Sequence, residues 1–280
     1  MGLLNRIFGR PSDTDKGKRK SINLAFVLLS EAQIPRVEEI QQAYGAFAAA
    51  DDTVASLSDT VTGAQSGKSR VLSLRLSTGE TVMVALMPSP VPNGEADRGA
   101  KFSLSSFRNG WKLPPHCAHL IVTFSGLESD PPVVQLSRFT SVLAAVVQVS
   151  PAVGVYWGNA GATHDSKFFL SIASDPGIVP RIMLWTGVSV GRESDGRLSF
   201  LSVGMRQLAL PDLLLIARDN SAGAALETMF DLLAYVADRG VPIREGETVG
   251  RTSEERLSVS YVRSPLDPTK KVWRIVLSKP

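Results

Sequence analysis

Hydrophobic positions change period along the chain, and the changes mark its elements. Residues 24–29 form an apolar run short enough for a buried strand. After Pro35, Val37, Ile40, Tyr44 and Phe47 recur on one helical face. Residues 51–69 are rich in Ser, Thr, Asp, Gly and Ala with little periodicity, which predicts a loop. Residues 71–76 and 82–86 alternate as a hairpin turned at Thr78-Gly79-Glu80. Pro88, Pro90, Pro92, Asn93 and Gly94 then break the pattern, which restarts near Phe102.

The same order returns twice. Residues 119–124 read as a strand, and Phe139, Val142, Leu143, Val146 and Val147 as a core-facing helix stopped at Ser150-Pro151. A short strand at 153–157 follows, then a short helix marked by Phe168, Phe169 and Ile172. A hairpin of 182–190 with 198–203 is expected around Asp195-Gly196. The third round starts with a strand at 213–217. Its helix, with Leu226, Met229, Phe230, Leu233 and Val236 inward, is capped at Asp219, Asn220 or Ser221 and ended by Gly240; strands at 257–262 and 272–277 complete it.

Three strand-helix-strand-strand rounds predict an α+β fold, a mainly antiparallel sheet with helices packed on one face. No Gly-x-Gly-x-x-Gly turn follows a strand, as a doubly wound nucleotide-binding fold would require. Three portions are expected: a basic tail and linker over 1–22, an N-terminal α+β portion over 23–110 and a C-terminal one over 111–280.

Composition adds little to this, since 44% apolar and 20% charged residues are ordinary for a globular chain of 280. Charge adds more. Residues 1–22 hold six Lys/Arg against Asp13 and Asp15, which is +4 of the net +3 and leaves −1 for the rest. The basic excess therefore belongs to the tail, and nucleic acid is not an expected partner of the body. Within the tail, Leu3, Leu4, Ile7 and Phe8 recur at helical spacing, an arrangement that suits docking to a protein or weak peripheral contact with an anionic membrane. The single Cys117 excludes an internal disulfide, and with no signal-peptide pattern a cytoplasmic location is expected.

Candidate chemistry is sparse. Gly63-Ala64-Gln65-Ser66-Gly67-Lys68-Ser69 ends like a phosphate-binding loop, but its glycines are one residue too close and a strand, not a helix, follows. His116-Cys117-Ala118-His119, joined by His164 and Asp165, could assemble a hydrolytic site only if the fold brought them together. No metal and no cofactor is expected from so few ligands. Glu245 with the turn Gly246-Glu247-Thr248-Val249-Gly250 reads as solvated surface. Tyr156-Trp157-Gly158-Asn159-Ala160-Gly161, with Trp185, offers aromatic residues beside glycines, which suits either a binding surface or core.

Ala118 to Thr123, Gly154 to Gly158, Leu184-Trp185, Leu210 to Leu213, and Met229-Phe230-Asp231 through Tyr235 and Gly240 to Gly250 occur in an order that resembles the bacterial domain-of-unknown-function family 4261, over about residues 111–262. The resemblance implies no reaction and no catalytic set. The expected function is that of a non-enzymatic protein that binds another protein, an adaptor or a neutralising partner of a bacterial effector, through Tyr156, Trp157 and Trp185 or through the tail. The alternative is a hydrolase built from His116, Cys117, His119, His164 and Asp165.

Overall fold

The computed structural model describes residues 22–49, 52–56, 71–217, 221–250 and 254–277. The docking residues expected in the tail, the loop at 63–69, and the cap candidates Asp219 and Asn220 lie outside these residues. Strands β1 (Ile22–Leu29), β2 (Val54–Ser56), β3 (Val71–Leu76), β4 (Thr81–Met87), β5 (Ala118–Ser125), β6 (Ala152–Trp157) and β7 (Ala162–Asp165) form one sheet in the order β2-β3-β4-β5-β1-β6-β7. Every neighbouring pair in it is antiparallel.

A second sheet of five strands holds β8 (Gly187–Arg192), β9 (Leu198–Val203), β10 (Leu213–Ile216), β13 (Ser260–Arg263) and β14 (Lys271–Val276) in the order β13-β14-β10-β9-β8. Only β10 and β14 run parallel. The short pair β11 (Thr248–Val249) and β12 (Leu257–Ser258) contains the acidic turn's end. Among the described residues the fold is thus α+β and mainly antiparallel, as expected.

Alternation along β1 sorts its side chains to two faces. Ala25, Val27 and Leu29 join the main core, on the side where helix α1 (Val37–Tyr44) packs against helix α4 (Pro132–Gln148) and α4 contacts β1 and β6. Phe26 and Leu28 point the other way, onto Val91 and Ala96. Those residues belong to an excursion between β4 and β5 that contains the short helices α2 (Glu95–Gly99) and α3 (Leu104–Asn109). The long helices therefore cover one face, and the excursion covers part of the opposite one.

Helix α5 (Ser166–Ala173) packs on α4 and β6. Helix α6 (Ile178–Trp185) contacts α4, α5 and α7 (Ala222–Arg239), and α7 lies on β9 and β10. One apolar cluster runs through both sheets, so the helices fill the space between them.

One expectation is corrected. Residues 182–185 are expected in a strand; they close α6, because a short continuous apolar run has no alternation to separate helix from strand. Pro180, in the helix's first turn, is the local signal for helix. Residues 110 and 111 lie in the excursion between β4 and β5, which are neighbours in the seven-stranded sheet.

Candidate functional site

The histidines and the thiol expected to carry chemistry are spread over the fold. Cys117 is exposed, and its Sγ donates to Ser30 O at 3.1 Å. His119, on β5, sets Nδ1 2.7 Å from Ser89 O and its ring edge-on to Phe26. Burial, with the nearby His116, holds it below the usual imidazole range. His116 Nε2 is buried and has no hydrogen-bond partner among the described residues.

His164 is fully buried on β7, with Nε2 3.0 Å from Leu184 O and Nδ1 2.9 Å from Ser103 Oγ. A carbonyl can only accept, so Nε2 carries the proton and Ser103 donates to the bare Nδ1. Burial pushes this imidazole down to about 4. Asp165 caps α5 by accepting from Phe168 N. None of the five residues is hydrogen-bonded to another of them, and no group of three His, Cys, Asp or Glu among the described residues is placed to hold a metal.

Trp157 and Trp185 do meet, but inside the core. Trp157 Nε1 donates to Gln207 Oε1 at 2.9 Å, Gln207 Nε2 donates to Trp185 O at 2.7 Å, and Trp185 Nε1 donates to Thr140 Oγ1 at 2.8 Å. This buried thread joins β6, the turn after β9, the end of α6 and α4. It satisfies polar groups that would otherwise cost about 1–3 kcal/mol each when desolvated. Trp157 and Trp185 thus take the core alternative, while Tyr156, half-buried on the opposite face, stacks on Phe26. Of Gly158 and Gly161, the two glycines that favoured a binding loop, the second has a local explanation. Gly161, at φ +60°, makes the β6–β7 turn. Gly204, at φ +131°, lets the turn after β9 approach so closely that a Cβ there would lie 2.4 Å from Trp185 O.

Two recesses contain polar groups. The first, of about 360 Å³, lies between α4, α6 and the segment that follows α1, and is lined by Asp52, Thr78, Ser137, Arg138 and Arg181 among others. Its groups are already occupied. Arg181 is buried, with Nε on Asp175 O, Nη1 on Ser137 O and Oγ, and Nη2 on Phe47 O and Ala173 O. Arg138 pairs with Asp130 and, at 2.5 Å, with the buried carboxylate of Glu80. Asp52 accepts from Tyr44 and Ser77.

The second recess, of about 440 Å³, opens on the excursion and is lined by Asp97, Lys101, Ser106, Trp111, Lys112 and Leu113, with Ala100 and Gly110 completing it. Local structure frames it. Ser103 caps α3 by accepting from Ser105 N, and the Gly110 N–H closes the helix on Ser106 O. Ser106 Oγ lies 2.6 Å from Ala100 O and 3.0 Å from Trp111 O, tying the chain before α3 to the chain after it. The whole excursion is pinned to β7 by Ser103 on His164, by Thr163 Oγ1 donating to Ala96 O at 2.6 Å, and by Asp165 N donating to Ser105 Oγ.

Trp111 is half-buried, Lys101 and Lys112 are exposed, and Phe107, on α3, is 39% exposed. The other three tryptophans are at most 1% exposed. Sequence reasoning did not single out Trp111; its signal was an indole among Lys101, Arg108 and Lys112 in a segment with no helical stripe to bury it.

Comparison with known proteins bears on the segment that contains β10 and α7. The family model described as Domain of unknown function (DUF4261) matches residues 201–276, from β9 to the end of β14. The resemblance read from the motifs is borne out over that segment. No curated protein and no solved structure matches the chain.

Proposed function

We propose that this protein acts by binding another protein, and that the recess around Trp111 is where it does so. The observation that carries the reading is the pairing of a half-buried indole with two exposed lysines in the lining of an open recess of about 440 Å³. A tryptophan and lysines lining one recess have the composition of an interface anchor with charged neighbours. The frame beneath is rigid, since three side-chain hydrogen bonds fix the excursion to β7. A preorganised surface loses less conformational entropy on association.

The test places a photo-crosslinking amino acid at position 112 and, as a control, at position 266, a residue 60% exposed in the loop between β13 and β14. In cells that produce the protein naturally, the first site should yield a discrete protein adduct that Trp111→Ala abolishes, and the second should not. Equal labelling at both positions, or an adduct indifferent to Trp111→Ala, would refute the reading.

A further inference from the structure

Resting on that reading, we propose that the recess accepts an acidic, extended peptide segment, with an apolar side chain of the partner laid on Trp111 and carboxylates on Lys101 and Lys112. Charge complementarity argues for this occupant. The two lysines line the recess from opposite ends of the α3 loop, before and after the helix, against a single acidic residue, Asp97. No salt bridge ties either ammonium among the described residues; Lys101 Nζ instead stands 5.0 Å above the Phe102 ring. Such a cation is only partly desolvated and remains free to meet a carboxylate.

The same chemistry excludes the basic tail of this chain as occupant, because Lys16, Lys18, Arg19 and Lys20 would face like charges. A nucleic acid is disfavoured as well. Two lysines opposed by Asp97 neutralise at most two phosphates, whereas nucleic-acid affinity grows with the number of phosphates neutralised.

Because Trp157, Trp185 and Trp273 are buried, quenching of tryptophan fluorescence by acrylamide reports on Trp111 alone. The full-length protein is titrated with a short peptide of Glu and Asp carrying one central Leu, with its Gln/Asn counterpart, with its Lys/Arg counterpart, and with oligouridylate of equal charge. The acidic peptide should shield Trp111 from acrylamide, with affinity falling about tenfold from low to high salt. The pair Lys101→Glu and Lys112→Glu should abolish its shielding and favour the basic peptide. Both lysines are exposed, so the fold survives this exchange, and an unchanged melting curve confirms it. Equal binding of the neutral peptide, or tighter binding of oligouridylate, would overturn the acidic assignment while leaving a position-112 protein adduct, and with it the protein-binding reading, intact. Loss of that adduct would instead remove the reading on which the assignment rests.

Discussion

In the five-stranded sheet the third round closes on itself: β14 lies directly beside β10, and β13 beside β14. In the seven-stranded sheet the equivalent closure is interrupted. The β3–β4 hairpin reaches β1 only across β5, and β5 reaches the β6–β7 hairpin only across β1. Each of the first two rounds thus completes its sheet with the other's opening strand. The lesson is that similar element order need not mean separable units. The matched family segment, residues 201–276, takes in part of β9 from the second round together with the third, whereas β1 to β7 form one interlocked sheet.

Cutting the chain between residues 110 and 111 is the severest way to break this comparison. Separated, the 22–110 piece loses β5 from between β4 and β1 and should show no cooperative melt; the 111–280 piece loses β1 from between β5 and β6 but keeps the five-stranded sheet, and co-refolding should restore the seven-stranded one. An independently folded 22–110 piece would show that the interlocking is dispensable.

Next in size is Arg181→Met. Losing this guanidinium strands the carbonyls of Phe47, Ser137, Ala173 and Asp175 under the seven-stranded sheet. A loss of about 3–5 kcal/mol is expected in urea unfolding. Arg181→Lys should not restore it, because an ammonium cannot reproduce a five-donor fork.

Acid sharpens the contrast more gently, since the two sheets hold buried groups of opposite linkage. His164, beside the seven-stranded sheet's edge, has its folded value depressed to about 4 from 6.5. The unfolded chain therefore takes up the proton first, and stability is lost as pH falls from about 6.5 to about 4, by about 3 kcal/mol. Burial raises Asp212, which accepts from Met205 N and Ser202 Oγ next to the five-stranded sheet. There the folded state binds the proton more tightly, so acid below that raised value favours folding. Hydrogen exchange near pH 5 should expose the excursion and β7 before β9 and β10. His164→Gln should flatten the pH dependence, and simultaneous loss of protection in both sheets would contradict this ordering.

Local pattern made much of the fold legible. The long helices α4 and α7, the β3–β4 turn at Gly79 and the helix end at Gly240 all follow from spacing and turn chemistry. What was not legible is non-local. Nothing near residues 22–29 says that their neighbours will be residues 118–125 and 152–157, and nothing near Trp157 says that Gln207 will accept its N–H. The candidate site shows the same limit. Trp157 and Trp185 stayed open between binding surface and core because their polar partners, Thr140 and Gln207, arrive from other elements, while Trp111 was overlooked in a segment without periodicity.

The position of β1 also sets a schedule for the nascent chain. Its first lateral neighbour begins at Ala118, so at about 5–20 residues per second the strand waits roughly 4–18 s on the ribosome before β5 exists to pair with it. During that wait the run from Leu24 to Leu29 is apolar, uncharged and free of proline, the kind of segment that pairs with copies of itself. Lys16, Lys18, Arg19 and Lys20 stand immediately before it in sequence, where like-charge repulsion between neighbouring chains opposes such pairing. On a polysome, where many copies wait side by side, the basic residues of the tail act as gatekeepers for the strand they precede.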